Sequence, residues 1–367
     1  MRSKTILALG ASVAVAALVA LGVVATTAPA QQPIVLKMQS TWPTQDILHT
    51  SFEDWAKKVN EMAGGRLRVD VLPNGAVVPA FELLDAVNRG ILDGGHGVPA
   101  YWFGKNRAMS LFGTGPSFGM DAEDLLAWYY YGGGQEMYND LLKQLRMNVV
   151  SYLHGPMPTQ PLGWFAKEVK TAQDLRNVKF RTVGLSADLF KELGASVVIL
   201  PGGEVVPSLE RNVIDAAEFN NPTSDIILGF TDVRKVYMTQ SYHQPLESLE
   251  ILINKEKHDS LPKDLQAILK YATLAESQDF SLKMIDRNSK DLVKIKQAGV
   301  KVVPTPKAVL AAQLQAWDKV IERESKANPA FAKILKSQRD FAARVVPLKQ
   351  AIAVDNSVAY EHYFKGQ

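Results

Sequence analysis

The stretch Glu204-Val205-Val206-Pro207-Ser208-Leu209-Glu210-Arg211-Asn212-Val213-Ile214-Asp215-Ala216-Ala217-Glu218-Phe219-Asn220-Asn221 reads as a short helix, an Asn placed to end it, and a buried strand. The strand delivers an acid, an aromatic and two amides to its carboxyl end. Ligands gather outside the carboxyl ends of strands in open α/β sheets. Glu218, Phe219, Asn220 and Asn221 are therefore expected to line a site.

Upstream, Leu84-Asp85-Ala86-Val87-Asn88-Arg89-Gly90-Ile91-Leu92-Asp93-Gly94-Gly95 echoes Leu209 to Ala217. Each copy has a helix end, a Gly or Asn suited to a left-handed cap, two aliphatics, an Asp and two small residues. Two similar lobes would write this pattern, and so would ordinary helix-to-strand connections. Ile34, Leu36 and Met38 alternate as a strand that ends at Ser40-Thr41-Trp42-Pro43. Leu48, Phe52, Trp55, Val59 and Met62 recur at helical spacing, and Gly64-Gly65 stops that helix. Leu67, Val69 and Val71 form a second strand, and Phe81, Leu84, Val87 and Ile91 a second helix. This βαβα order predicts an α/β fold whose sheets are mostly parallel and flanked by helices.

A second lobe is predicted to begin near Gln160. Gln160 to Phe165 and Val178 to Arg181 are strand candidates, Ser186 a helix cap, and Ala195 to Leu200 another strand. Leu261 to Ile295 is a long helix, Val300 to Val303 a short strand, and Ala308 to Tyr363 holds further helices. The predicted organisation is lobe I over 31–155 plus about 245–275 and lobe II over 156–244 plus about 296–330. A connecting helix over 261–295 and C-terminal helices over 331–367 complete it.

Residues 1–30 have the marks of a cleavable signal peptide: basic Arg2 and Lys4, an apolar run from Ile6 to Ala25, and Ala28-Pro29-Ala30. The run is also long enough for an uncleaved anchor. Removing the segment takes two basic residues with it, so the net charge falls from +3 to +1 (3 − 2). That leaves no basic footprint for nucleic acid. An exported chain with no cysteine has no disulfide framework. The 337 residues that remain (367 − 30) can bury enough apolar surface without one.

Arg181 closes a strand in an otherwise apolar segment. Its planar fork suits a bidentate carboxylate, and an internal acid would serve as well as a ligand. Glu218, if buried, requires an Arg or a metal ion. With Gln160 nearby, amide and carboxylate oxygens suit Na⁺ or Ca²⁺ better than zinc. Pairing of Glu218 with Arg181 is the competing arrangement. The six histidines are scattered, and no two share metal-ligand spacing on one helix. Gly115-Pro116-Ser117-Phe118-Gly119 matches a nucleophile elbow, but the Gly132-Gly133-Gly134 run follows it instead of preceding it, and Asp121 is placed to cap the next helix. The segment reads as a loop, and an exported hydrolase using Ser117 is the rival function. Tyr101 and Trp102 are site candidates, whereas Trp128 to Tyr131 read mostly as packing.

These residues resemble the DctP-type solute-binding proteins of tripartite ATP-independent periplasmic (TRAP) transporters, in the branch that binds 2-oxo and 2-hydroxy acids. The matching features are Gln39 to Pro43, Gly104-Lys105, Trp128 to Gly134, Gln160 to Phe165, Arg181, and Glu204 to Glu218. The resemblance implies a periplasmic receptor that is not an enzyme and has a two-lobed periplasmic-binding-protein-like fold. It implies that Arg181 clamps the carboxylate of a small monocarboxylate. Gln160, the Glu218 side chain and the Phe219 carbonyl would hold Na⁺ or Ca²⁺, and no organic cofactor is implied. Tyr101, Asn220, Phe219, Gln160 and Gln244 are the further ligand contacts. Gln244 stands where relatives carry an acidic metal ligand, and Glu247 is its rival. Phe219 replaces a Trp found in some relatives. The partners implied are the membrane permease subunits, with a ligand-sensing module outside transport as the alternative. The C-terminal residues Val345, Val346, Leu348, Ile352 and Val354 either cross to a second copy as a homodimer or pack on their own spine.

Overall fold

β1 (Ile34–Ser40) buries Leu36 and Met38 on one face and exposes Lys37 on the other, as its alternation predicts. It is the entry strand of a computed structural model that describes residues 32–365. The predicted signal peptide lies outside those residues. The following helix, Ile47–Met62, starts where the Asp46 side chain accepts from Leu48 N, and it buries Leu48, Phe52, Trp55 and Val59. It stops at Gly64 and Gly65, both in the left-handed region.

The first sheet also contains β2 (Leu67–Leu72), β3 (Gly94–Gly97), β4 (Val149–Met157) and β10 (Glu247–Asn254), in the order β2-β1-β3-β10-β4. β1 runs parallel to β2 and β3, while β10 is antiparallel to β3 and β4. The second sheet comprises β5 (Gly163–Phe165), β6 (Lys179–Arg181), β7 (Ser196–Val198), β8 (Ala216–Ala217), β9 (Val236–Thr239) and β11 (Lys301–Pro304). Its order is β11-β9-β5-β8-β6-β7, with β5 the antiparallel member. Each lobe is thus a mixed, mostly parallel sheet with flanking helices. Gln160 precedes β5 and is not part of it. Ser186 opens the helix Ser186–Glu192 without capping it; its hydroxyl donates to His243 O instead.

The echo between the two sheets is structural. Gly90 and Asn212 are both left-handed, at φ 71° and 56°. Ile91 N donates to Ala86 O as Val213 N donates to Ser208 O. Asp93 N donates to Lys37 O, and Asp93 Oδ2 accepts from Lys37 N. Asp215 makes the same two bonds with Lys179. One helix–turn–strand unit is therefore built twice, and each copy locks its Asp to the neighbouring parallel strand.

The chain crosses between sheets after β4 and again before β10. The helix Lys263–Gln297 then spans both lobes. Its Thr273 hydroxyl accepts from Trp55 Nε1, and its Asn288 accepts from Thr223 N. The helix Pro329–Ile352 packs Phe331, Ile334, Leu335 and Phe341 into the main core, whereas Asn356–Phe364 buries no residue. No described helix is long and apolar enough to cross a membrane.

Candidate functional site

The two crossing segments meet each other. Gln160 N donates to Gln244 O at 3.0 Å, and Thr159 Oγ1 donates to Pro245 O at 2.9 Å. This stitching sets Gln160 and Gln244 side by side where the lobes join. β6 ends on Arg181, and β8 is followed by Glu218, Phe219 and Asn220, so parallel strand ends from the second sheet reach the same place. A small cavity of about 20 Å³ lies there, with Gln160, Arg181, Asn220, Gln244 and Glu247 on its polar side. Trp42, Leu48, Val98, Tyr101, Val183 and Phe219 form the rest of its wall.

Arg181 is 2% exposed. Its Nη1 donates to Glu218 Oε1 at 2.9 Å and to Glu218 O at 3.3 Å, while Nε and Nη2 both donate to Leu200 O. A guanidinium has five N–H donors, so one Nη2 N–H has no acceptor among the described residues, and the residue borders the cavity. The two arrangements considered from the sequence are therefore not exclusive: Arg181 pairs with an internal acid and also borders the cavity.

Glu247 accepts from Gln160 Nε2 at 2.7 Å, Gln244 Nε2 at 2.9 Å and Asn220 Nδ2 at 3.3 Å. With their amino ends turned to Glu247, both glutamines leave Oε1 buried and unpartnered, as is Glu218 Oε2. Thr182 Oγ1, close to Glu218, is outside hydrogen-bond geometry and unpartnered too. Burial raises the Glu218 carboxyl to about 7 although Arg181 pulls it down. Burial, with the Glu218 charge beside it, raises Glu247 to about 8. Two buried carboxylates thus lie near one guanidinium, which pairs only with Glu218, and the unpartnered acceptor atoms of Gln160, Gln244, Glu218 and Thr182 are all oxygens. That donor set fits a hard cation such as Ca²⁺ or Na⁺, and it contains no thiolate or imidazole for zinc.

Other contacts close the lobes over this space. Gly202 N donates to Tyr101 OH at 3.3 Å, Leu185 N donates to Thr114 Oγ1 at 3.2 Å, and Ser224 Oγ donates to Asp46 Oδ1. Arg107 pairs with Asp188 on the facing lobe.

All six ligand candidates, Arg181, Gln160, Tyr101, Asn220, Phe219 and Gln244, border the one cavity, and Glu218 stands behind Arg181. Glu247, a rival in the sequence, is present together with Gln244. Trp102 is not in the wall: its indole N–H donates to Glu250, a buried carboxylate that Tyr138 and Ser151 also satisfy. Trp42, Leu48, Val98 and Val183 are wall residues that sequence reasoning did not assign. Trp42 and Val98 follow β1 and β3, so the strand-end rule applied to Glu218 would also have found them. Ser117 lies in a loop, where its hydroxyl accepts from Gly119 N at 3.4 Å.

Two lobes shut over a buried, charged cavity define a bilobal solute-binding protein. The chain belongs to the DctP family: residues 38–327 match the family model of bacterial extracellular solute-binding protein family 7. It is similar to a monocarboxylate 2-oxoacid-binding periplasmic protein of Nostoc sp., 31% identical over 328 residues, 89% of this chain and 88% of the relative. The fold matches a TRAP transporter solute-binding protein of Bordetella bronchiseptica RB50, described as a mixed-occupancy dimer with calcium and picolinate in one site. That match has TM-score 0.85 and 29% identity, over 90% of this chain and 97% of that one. A TRAP periplasmic solute-binding protein of Pseudoalteromonas atlantica T6c, with bound sodium and pyruvate, has TM-score 0.83 and 30% identity over 90% and 99% of the chains. These proteins are solute receptors and not enzymes, and this chain is a TRAP-type solute-binding protein.

Proposed function

We propose that this protein captures a small monocarboxylate, a 2-oxo or 2-hydroxy acid, in the exported compartment and delivers it to TRAP permease subunits in the membrane. The observation that carries this reading is the Arg181 Nη2 N–H left without an acceptor in a cavity wall that also holds two unpartnered buried oxygens, Gln160 Oε1 and Gln244 Oε1, with a third, Glu218 Oε2, behind that wall. The guanidinium offers the ligand carboxylate a charge-assisted hydrogen bond. Gln160, Glu218, Gln244 and Glu247, with the Phe219 carbonyl, are the residues that would hold a cation. Bound there, Ca²⁺ or Na⁺ would supply positive charge against the two acids and the ligand's second oxygen. Asn220 holds Glu247 in place, and Tyr101 ties the closed lobes through Gly202.

Closure takes the charges out of water together, so each offsets the desolvation of its partner. Residues 1–30 are proposed as the export signal. The names of the relatives support the ligand class and the periplasmic setting. A homodimer through the exposed helix Asn356–Phe364 is part of the same reading, supported by the dimer of the Bordetella neighbour. A thermal-shift screen of mono- and dicarboxylates, with Ca²⁺, Na⁺ or EDTA, tests it. Stabilisation by pyruvate-like acids that requires the cation is the expected result; no response to any of them contradicts the proposal.

A further inference from the structure

The segment from Gln240 to Leu246, between β9 and β10, has no strand ladder of its own, yet it carries Gln244 into the cavity wall. Buried main-chain carbonyls outside regular structure need donors from elsewhere. Here four consecutive carbonyls each find a different one. Tyr242 O accepts from Trp317 Nε1 at 2.6 Å, and His243 O from Ser186 Oγ at 2.8 Å. Gln244 O accepts from Gln160 N, and Pro245 O from Thr159 Oγ1. Gln240 enters the segment at φ 67°, a left-handed conformation that persists in a non-glycine residue only when its surroundings impose it.

The start of the segment is held by one helix, Lys307–Ala327, which packs against Ser186–Glu192. Gln313 and Trp317 are four residues apart on its buried face, so they point the same way. Gln313 Oε1 accepts from Tyr242 N at 2.8 Å, and its Nε2 donates to Ser241 Oγ at 2.9 Å. With Trp317 on the carbonyl, both main-chain groups of Tyr242 are bound to this helix. Gln313 and Trp317 are buried, and neither lines the cavity. Two residues further on, Gln244 O takes the amide of Gln160. One clamp therefore stands behind both glutamines whose Oε1 atoms are unpartnered.

We infer that Gln313 and Trp317 are positioning residues for the cavity: by fixing Tyr242 they hold Gln244, and through it Gln160, where the cation donors are needed. This rests on the proposed binding reading. A binding constellation works only when its groups are held to roughly 0.5 Å. Substituting the partners behind a metal's ligands typically lowers metal affinity by roughly 10–100-fold.

The test compares full-length Gln313→Leu, Trp317→Phe and Val320→Ala with the wild type. Val320 is buried on the same helix, and its alkyl side chain makes no hydrogen bond to the segment, so its truncation is the control for loosened packing. The first readout is hydrogen exchange of the Gln160 amide in metal-free protein, referred to the amides of β1. Gln313→Leu and Trp317→Phe should each lower its protection by about tenfold, and Val320→Ala should leave it unchanged. The second is calorimetric titration of pyruvate with calcium present. The two clamp variants should bind about tenfold more weakly, and Val320→Ala as the wild type does. Unchanged Gln160 protection in both clamp variants, an equal loss in Val320→Ala, or wild-type pyruvate affinity in both clamp variants overturns the inference. A wild type that binds no pyruvate overturns the 2-oxo acid reading instead, and the exchange readout still decides whether this helix positions the two glutamines.

Discussion

Glu218 and Arg181 form a buried ion pair, 2.9 Å from Oε1 to Nη1, and yet each keeps one hydrogen-bonding atom unpartnered, with Arg181 in the cavity wall and Glu218 behind it. Glu218 is completely buried and Arg181 nearly so. Such a pair contributes little net stability by itself, because desolvation cancels most of the attraction. Its value here is positional. Glu218 Oε1 and Leu200 O fix the guanidinium plane, so the remaining N–H has one direction before any ligand arrives.

The first prediction concerns the cation. Calcium at about a hundredfold excess over its dissociation constant should stabilise the wild type by about 2.7 kcal/mol, and EDTA should reverse the effect. Glu247→Gln and Glu218→Gln each remove one of the two acids and should abolish most of the shift. Equal calcium stabilisation in the wild type and in Glu247→Gln, measured by thermal unfolding, would contradict the assignment of these oxygens.

Stability should depend on pH with opposite signs at two buried groups away from the cation donors. Burial lowers His154 to about 3, and neither ring nitrogen has a partner. A depressed histidine contributes stability that is full above 6.5 and is lost as pH falls toward 3. The loss is about 1.4 kcal/mol per pH unit, so His154→Phe should flatten the acid limb. Burial raises Asp46 to about 6 against its ordinary 3.8. A raised carboxyl contributes stability below 3.8 that disappears as pH rises through 6. Asp46→Asn can keep the helix cap and should gain about 3 kcal/mol relative to the wild type between pH 4 and pH 8. Urea unfolding at both pH values decides this, and a pH-independent difference would be the contrary result.

The helix Asn356–Phe364 leaves Val358, Tyr360, Tyr363 and Phe364 more than half exposed, and the preceding Ile352 and Val354 are exposed as well. If a second copy covers these side chains, deleting residues 354–367 should convert a dimer to a monomer in light scattering. Because the helix buries nothing in its own chain, secondary structure should be retained. A full-length protein that is monomeric at micromolar concentration would remove the dimer from the account.

Much of this fold was legible because its signals are local. The alternation at Leu36 and Met38, the stop at Gly64-Gly65 and the paired caps at Gly90 and Asn212 are fixed within a few residues. Arg181 and Glu218 stood out because each is a charge ending an apolar strand. The first-lobe wall was not legible in the same way. Leu48 carries the signature of an ordinary core-facing helix residue, and only closure of the lobes puts it opposite Arg181. Glu247 could not be separated from Gln244 because β10 pairs with strands more than 80 residues away, and the register that turns Glu247 toward Gln160 is set by that pairing. Ser186 was misread because its hydroxyl has a better use, holding His243 O in the second crossing segment.

The central claim is that Arg181 receives the ligand's carboxylate. Calorimetric titration of pyruvate into the wild type, Arg181→Lys and Arg181→Ala, with calcium present and folding checked by circular dichroism, tests it most directly. Loss of one member of a buried charge pair is worth roughly 3–5 kcal/mol, so Arg181→Ala should weaken binding by at least about a hundredfold. Arg181→Lys should remain poor because an ammonium lacks the fork. Near-normal pyruvate affinity in a folded Arg181→Ala protein would contradict the account.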